Sequence, residues 1–169
     1  MDNNVVFRIA RGLQAAGLAV LRFNFRGAGA SDGVHDGHGA EEEDARAAID
    51  FLQREFPGLA LWGAGFSFGS RTLGSLARRE PRLERLLLVT LPCRASDCLF
   101  VADLHMPTHL LMAGNDEYGT LSDVRERVPQ LPANIDAEEI EGVDHFFRGK
   151  TPELERRVRT WAEGALTLR

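Results

Sequence analysis

Cysteine is scarce in this chain of 169 residues, which contains only Cys93 and Cys98. Two thiols are too few for a disulfide framework, and they lack the companions of a zinc site. The expectation is therefore a reduced, cytosolic protein with two ordinary thiols. Long apolar runs are missing too. The longest purely aliphatic stretch is Leu86-Leu87-Leu88-Val89, far short of the ~20 residues that a membrane span requires. The chain opens Met1-Asp2-Asn3-Asn4, with neither a basic start nor an apolar segment behind it, so no secretory signal is read. Positive charge is in deficit: 20 Lys and Arg against 25 Asp and Glu leave a net charge of -5. That balance argues against a nucleic-acid partner, whose affinity would come mainly from Lys and Arg on phosphates.

What remains is the composition of a folded globular protein, 44% hydrophobic and 27% charged, which excludes a disordered chain. The length is that of one domain, able to bury about 70% of its unfolded surface. Residues 3–16 suit a helix, with Asp2 or Asn3 as its cap, Val6, Ile9, Ala10 and Leu13 at helical spacing, and Gly17 as its stop. Residues 18–25 (LAVLRFNF) read as a buried strand that ends in the glycine-rich turn RGAGASDG. Residues 41–56 give the clearest helix. Acids fill its first turn, where the helix dipole favours them, and Ala45, Ala48, Phe51 and Leu52 line one face. Strands follow at 59–64, 84–91, 107–113 and 135–141, the last polar enough to be an edge. Helices are expected at 68–79, 121–128 and 152–166, with Pro152 near the first turn of the last.

Apolar strands alternating with amphipathic helices predict one α/β domain over residues 1–169, a mostly parallel sheet flanked by helices on both faces. In such sheets chemistry gathers at the carboxyl ends of the strands. Four loops qualify there: 26–38, 65–69, 114–120 and 142–149.

The second of these is Gly65-Phe66-Ser67-Phe68-Gly69, between a strand and a helix. A serine on that sharp turn projects above the sheet, beside backbone N–H groups that favour an oxyanion. Two other readings stand beside it. Ser67 could simply cap the helix, or Gly63, Gly65 and Gly69 could form a dinucleotide loop. A dinucleotide site wants an acid at the end of the next strand, and that strand ends Thr90-Leu91-Pro92.

A serine nucleophile needs a base, and imidazole suits the task near neutral pH. His105 and His109 flank the wrong end of the 107–113 strand. His35 and His38 lie in the long polar loop after residue 25. His145, in Gly142-Val143-Asp144-His145-Phe146-Phe147, follows the last strand and sits beside two aromatics. For the acid that orients it, Asp116 stands where the 107–113 strand turns, with Glu117 and Asp144 as competitors. The chain order Ser67, Asp116, His145 is that of one serine-triad fold and differs from the others.

On LRFNFRGAGASDG (21–33), GFSFGS (65–70), AGNDEYG (113–119) and GVDHFF (142–147), the chain resembles the α/β-hydrolase superfamily. Within it, the likeness is to the small bacterial dienelactone-hydrolase-like group. The four motifs occur in order and cover nearly the whole chain. The resemblance implies Ser67 as nucleophile, His145 as base, Asp116 as acid and the Phe68 N–H as an oxyanion donor. It implies cleavage of an ester, thioester or related acyl bond through an acyl-enzyme, with a small-molecule acyl substrate and no cofactor or metal. Ala113 departs from the glycine usual in the turn before Asp116. Family members also carry two or three strands before the first large helix, and a His/Pro- or Gly-rich loop that supplies a second oxyanion donor. By that measure the chain is N-terminally shortened. Its sheet would then expose an apolar edge beside residues 18–25, open to a homodimer or to a partner of a non-catalytic module.

Overall fold

Three apolar runs and one more polar run after residue 60 become the sheet of the computed structural model, which describes residues 3–37 and 39–167. The strands are β1 (Leu61–Phe66), β2 (Leu83–Val89), β3 (Thr108–Ala113) and β4 (Ile135–Ile140). All three pairings are parallel, and the strands lie side by side in chain order. Leu88 stands opposite Gly65 on one side and Leu110 on the other, and Leu110 opposite Ala137. Parallel neighbours need crossovers. These are α3 (Phe68–Ala77), a short 3₁₀ helix (Leu99–Asp103) and α4 (Leu121–Arg127). Before the sheet come α1 (Asn4–Ala15) and α2 (Ala40–Glu55), and after it α5 (Thr151–Thr167). This is an α/β fold.

The described residues form two compact units, one holding Asn24 to His145 and the other both ends of the chain, up to Phe23 and from Phe146 on. In the larger unit, Leu86, Leu88, Leu110 and Met112 share one core with Ala45 and Ile49 of α2, Leu76 of α3, Val101, and Val124 of α4. The alternate residues Leu87, Val89, Leu111 and Ala113 are as fully buried. A run such as Leu86–Val89 is thus buried on both faces, at about 1.5–3 kcal/mol per large side chain. β4 alternates more weakly, with only Ile135 and Ile140 buried, as its polar sequence implies.

In the smaller unit, α1 is capped by Asn3, whose side chain accepts from the N–H groups of Val5 and Val6. The alternative cap, Asp2, lies outside the described residues. The buried stripe of α1 is Val5, Ile9, Ala10 and Leu13, with Val5 inside in place of the expected Val6. On α5 the buried set is Leu154, Val158, Ala162 and Ala165. Arg8 pairs with Glu155 at 2.8 Å across the two helices.

Three further expectations need correction. Residues 18–25 form no strand: they carry no ladder, and Leu21 and Phe23 are each 40% exposed. Apolar, β-branched and aromatic residues favour an extended chain, but a strand also requires a hydrogen-bonded neighbour, and a local pattern cannot supply one. Phe51 is on the outer side of α2, stacked with Arg54. At 100° per residue it sits well off the stripe of Ala45, Ile49 and Leu52. β1 runs two residues later than read, so it ends at Phe66 and α3 begins at Phe68. A single residue separates them. No helix among the described residues is long and apolar enough to cross a membrane.

Candidate active site

That single residue is Ser67. Its backbone, at φ 51° and ψ -117°, occupies a region that non-glycine residues avoid, at a cost of about 1–3 kcal/mol. Neighbouring bonds hold it there. Its N–H donates to the Val89 carbonyl at 3.0 Å, and its carbonyl accepts from the N–H groups of Ser70 and Arg71. The Ser70 hydroxyl also donates to that carbonyl, at 2.6 Å. Gly65 is what lets strand and helix meet so closely. A Cβ there would lie 2.5 Å from the Gly69 carbonyl oxygen and 2.7 Å from Ser70 Cα.

β3 ends at Ala113 and its loop delivers Asp116, which is 2% exposed. The Gly114 N–H donates to Ile140 and the Asn115 N–H to Val143, each at 2.9 Å, so this loop is laced to the one that carries His145. The imidazole, 3% exposed, spans the other two residues. Its Nδ1 is 2.7 Å from Asp116 Oδ2, and its Nε2 is 2.9 Å from Ser67 Oγ. An ionised carboxylate can only accept, so Nδ1 carries the proton and Nε2 faces the serine hydroxyl with its lone pair. The structure therefore brings Ser67, His145 and Asp116 together. All three lie past the carboxyl ends of their strands.

No family model matches the chain. An uncharacterized protein of Rickettsia prowazekii is 36% identical over 170 residues, a match that covers 94% of this chain and 70% of that one. An α/β serine hydrolase homologue from Coxiella burnetii superposes with a TM-score of 0.84 at 30% identity, over 95% of this chain and 76% of the other. The chain belongs to the α/β-hydrolase superfamily. An Agrobacterium tumefaciens protein of unknown function, assigned to the same α/β hydrolases, superposes at a TM-score of 0.89 with 31% identity, over 99% of this chain and 79% of that one.

Within this α/β-hydrolase chain none of the described competitors takes the place of Asp116 or His145. Glu117 is exposed, and the carboxylate at Nδ1 of His145 is that of Asp116, not of Asp144. His35 pairs with Glu41 at 2.6 Å, and the buried His109 meets Asp136 at 2.9 Å. His105 is exposed, and His38 lies outside the described residues. The dinucleotide reading fails on geometry: Gly63 and Gly65 are inside β1 and Gly69 is inside α3, so they form a packing contact where a phosphate loop would need open backbone. Nor does Ser67 cap α3, since its side chain makes no cap bond and turns to His145. Among the described residues no three His, Cys, Asp or Glu side chains are placed to share a metal ion.

Phe68 opens α3, so its N–H has no acceptor within the helix. Its ring meets Phe25 edge-on at 5.6 Å and His35 at 4.8 Å. A cleft of about 150 Å³ is lined by Phe68, Arg71, Thr72, Ser75, Phe100 and Glu41. Burial raises the Glu41 pKa, but hydrogen bonds from the N–H of Gly37, its own N–H and that of Asp36, together with the His35 charge, outweigh this and bring it down to about 2.

Sequence reasoning passed over Arg94 and Tyr118 as neighbours of Ser67, Asp116 and His145, and met Phe66 only as part of the turn around Ser67. Arg94 donates through its guanidinium to the Asp116 carbonyl at 3.3 Å and to Asp123 at 2.9 Å. The Tyr118 and Phe66 rings flank His145, with centroids 4.7 and 5.0 Å away. The acidic turn in which Tyr118 stands and the glycine-flanked turn beside Phe66 were visible as signals. Thr90, the residue after β2, holds φ 47° although it is β-branched, and its hydroxyl is buried without a partner among the described residues. Cys93 and Cys98 are both buried free thiols. The Cys93 thiol is pushed up by its hydrogen bond to Cys98 and by burial.

Proposed function

We propose that the protein is a serine hydrolase that cleaves an ester, thioester or related acyl bond of a small molecule through an acyl-enzyme. One observation carries this reading: the unbroken line of hydrogen bonds from Asp116 through His145 to Ser67. In the proposed reaction, Ser67 Oγ attacks the acyl carbon while Nε2 of His145 takes its proton. Asp116 keeps the proton of Nδ1 in place and stabilises the imidazolium that forms. The carbonyl oxygen, now an anion, receives the free N–H of Phe68 at the start of α3. Collapse of the tetrahedral adduct expels the alcohol or thiol, which leaves with the proton from Nε2. Water then enters, gives its proton to Nε2 and attacks the ester of Ser67. The acid departs, and the proton returns to Oγ.

Between Ser67 and Asp116 the chain passes directly through α3, β2, the 3₁₀ helix and β3, with no inserted cap. Ser67 itself is half-exposed. Both features favour an open site for small acyl substrates. The test is hydrolysis of 4-nitrophenyl acetate by the wild type, Ser67→Ala and Asp116→Asn. Turnover is expected for the wild type, a loss to background for Ser67→Ala, and a drop of roughly 10⁴ for Asp116→Asn, which leaves the wrong imidazole tautomer. Unchanged turnover in Ser67→Ala would overturn the proposal.

A further inference from the structure

The two hydrogen bonds of His145 hold the ring at its two nitrogens, Nδ1 against Asp116 Oδ2 and Nε2 against Ser67 Oγ. Both bonds act at the edge of the ring, and neither bears on its faces. Contacts on the flanks of the imidazole add restraint there. Phe66 gives one, with its centroid at 5.0 Å and its plane tilted by 40°. Tyr118 gives another, edge-on at 4.7 Å and 61°. The two rings differ in setting. Phe66 ends β1 and is 9% exposed, whereas Tyr118 stands in a loop and is 42% exposed, although the imidazole it touches is 3% exposed.

The backbone of Tyr118 is tied to the carboxylate that orients the same imidazole. Its N–H donates to Asp116 Oδ1 at 2.8 Å, and its carbonyl accepts from the Arg94 N–H at 2.9 Å. One turn thus presents two groups to His145, a carboxylate at Nδ1 and an aromatic ring against the imidazole. Any shift of the turn moves both.

We infer that Tyr118 is a positioning residue for His145, whose ring keeps the imidazole oriented with Nε2 aimed at Ser67 and shields it from solvent. The inference rests on the reading of Ser67, His145 and Asp116 as a catalytic triad. The contact is ring to ring, so the role belongs to the aromatic ring and not to the phenol hydroxyl. Phenylalanine should therefore substitute and alanine should not. Tyr118 is half-exposed, so its truncation opens no sealed cavity and leaves the fold intact.

The experiment measures kcat, KM and thermal midpoint with 4-nitrophenyl acetate for the wild type, Ser67→Ala, Tyr118→Phe and Tyr118→Ala. Expected are a Phe variant within twofold of the wild type and an Ala variant whose kcat falls about tenfold, since small misplacements of reacting groups are costly in rate. KM and the midpoint should stay close to those of the wild type. An Ala variant with full kcat, or with only KM changed, would overturn the inference. So would a Phe variant as slow as the Ala variant. Those results leave the triad reading standing, because the wild type would still depend on Ser67. A folded wild type without turnover would instead remove the triad reading, and this inference with it.

Discussion

Replacing Gly65 by alanine would drive a methyl group into the backbone of Gly69 and Ser70, neither of which can swing aside. Gly69→Ala is the natural control. A Cβ at that position meets nothing closer than Phe25 at 3.9 Å, and alanine favours a helix more than glycine does. Gly65→Ala is expected to cost about 1–3 kcal/mol of stability and to lower activity about 10²-fold by displacing Ser67. Gly69→Ala should keep both within experimental error. Urea unfolding and ester turnover on the two variants decide this, and equal behaviour would sink the steric account of the turn. At this scale much was legible. Ser67, Asp116 and His145 could be singled out because chain order and strand ends are one-dimensional properties. The flanking rings could not, because nothing in a linear sequence marks which loop aromatic meets an imidazole.

Among elements, α4 shows how a short helix braces the site. Asp123 accepts from both the N–H and the hydroxyl of Thr120, each at 2.7 Å, and from Arg94 at 2.9 Å. Burial raises its pKa, but those donors and the Arg94 charge prevail and hold it at about 2. Arg94 in turn reaches the Asp116 carbonyl. Asp123→Ala should therefore cost about 1 kcal/mol as a lost capping-box partner of Thr120 and also slow ester turnover, while Thr120→Ala, which leaves the bond between Asp123 and Arg94, should affect stability alone. Equal activity in the two variants would show that Arg94 does not transmit the effect. The helices and strands after residue 60 were readable because their periodicities are local. Residues 18–25 were misread for the complementary reason: their composition fits a strand, but the partner that makes a strand is not a property of the segment.

For the whole molecule, the low carboxylate pKa values set the response to acid. Glu41 and Asp123 both fall to about 2 in the folded protein, from ordinary values of 4.5 and 3.8. A lowered folded-state pKa adds stability that is fully present above the unfolded value and lost as pH falls toward the folded one. Stability should therefore be level from pH 7 to about 5 and decline between about 4.5 and 2. Glu41→Gln should be less stable than the wild type at pH 7, with a gap that narrows by pH 3. A gap that stayed constant in chemical denaturation across that range would show that Glu41 does not act through its charge. The α/β class was legible from the alternation of apolar strands and amphipathic helices. The division into two compact units was not, because it depends on contacts between the two ends of the chain.

The most direct test of the proposed chemistry is labelling by a fluorophosphonate probe, with the modified residue mapped by mass spectrometry in the wild type and in His145→Ala. A single adduct on Ser67 that forms readily in the wild type and is lost or greatly slowed in His145→Ala is the expected outcome. A folded wild type that takes no label, or takes it on Ser67 at the same rate without His145, would show that the line of hydrogen bonds does not activate the serine.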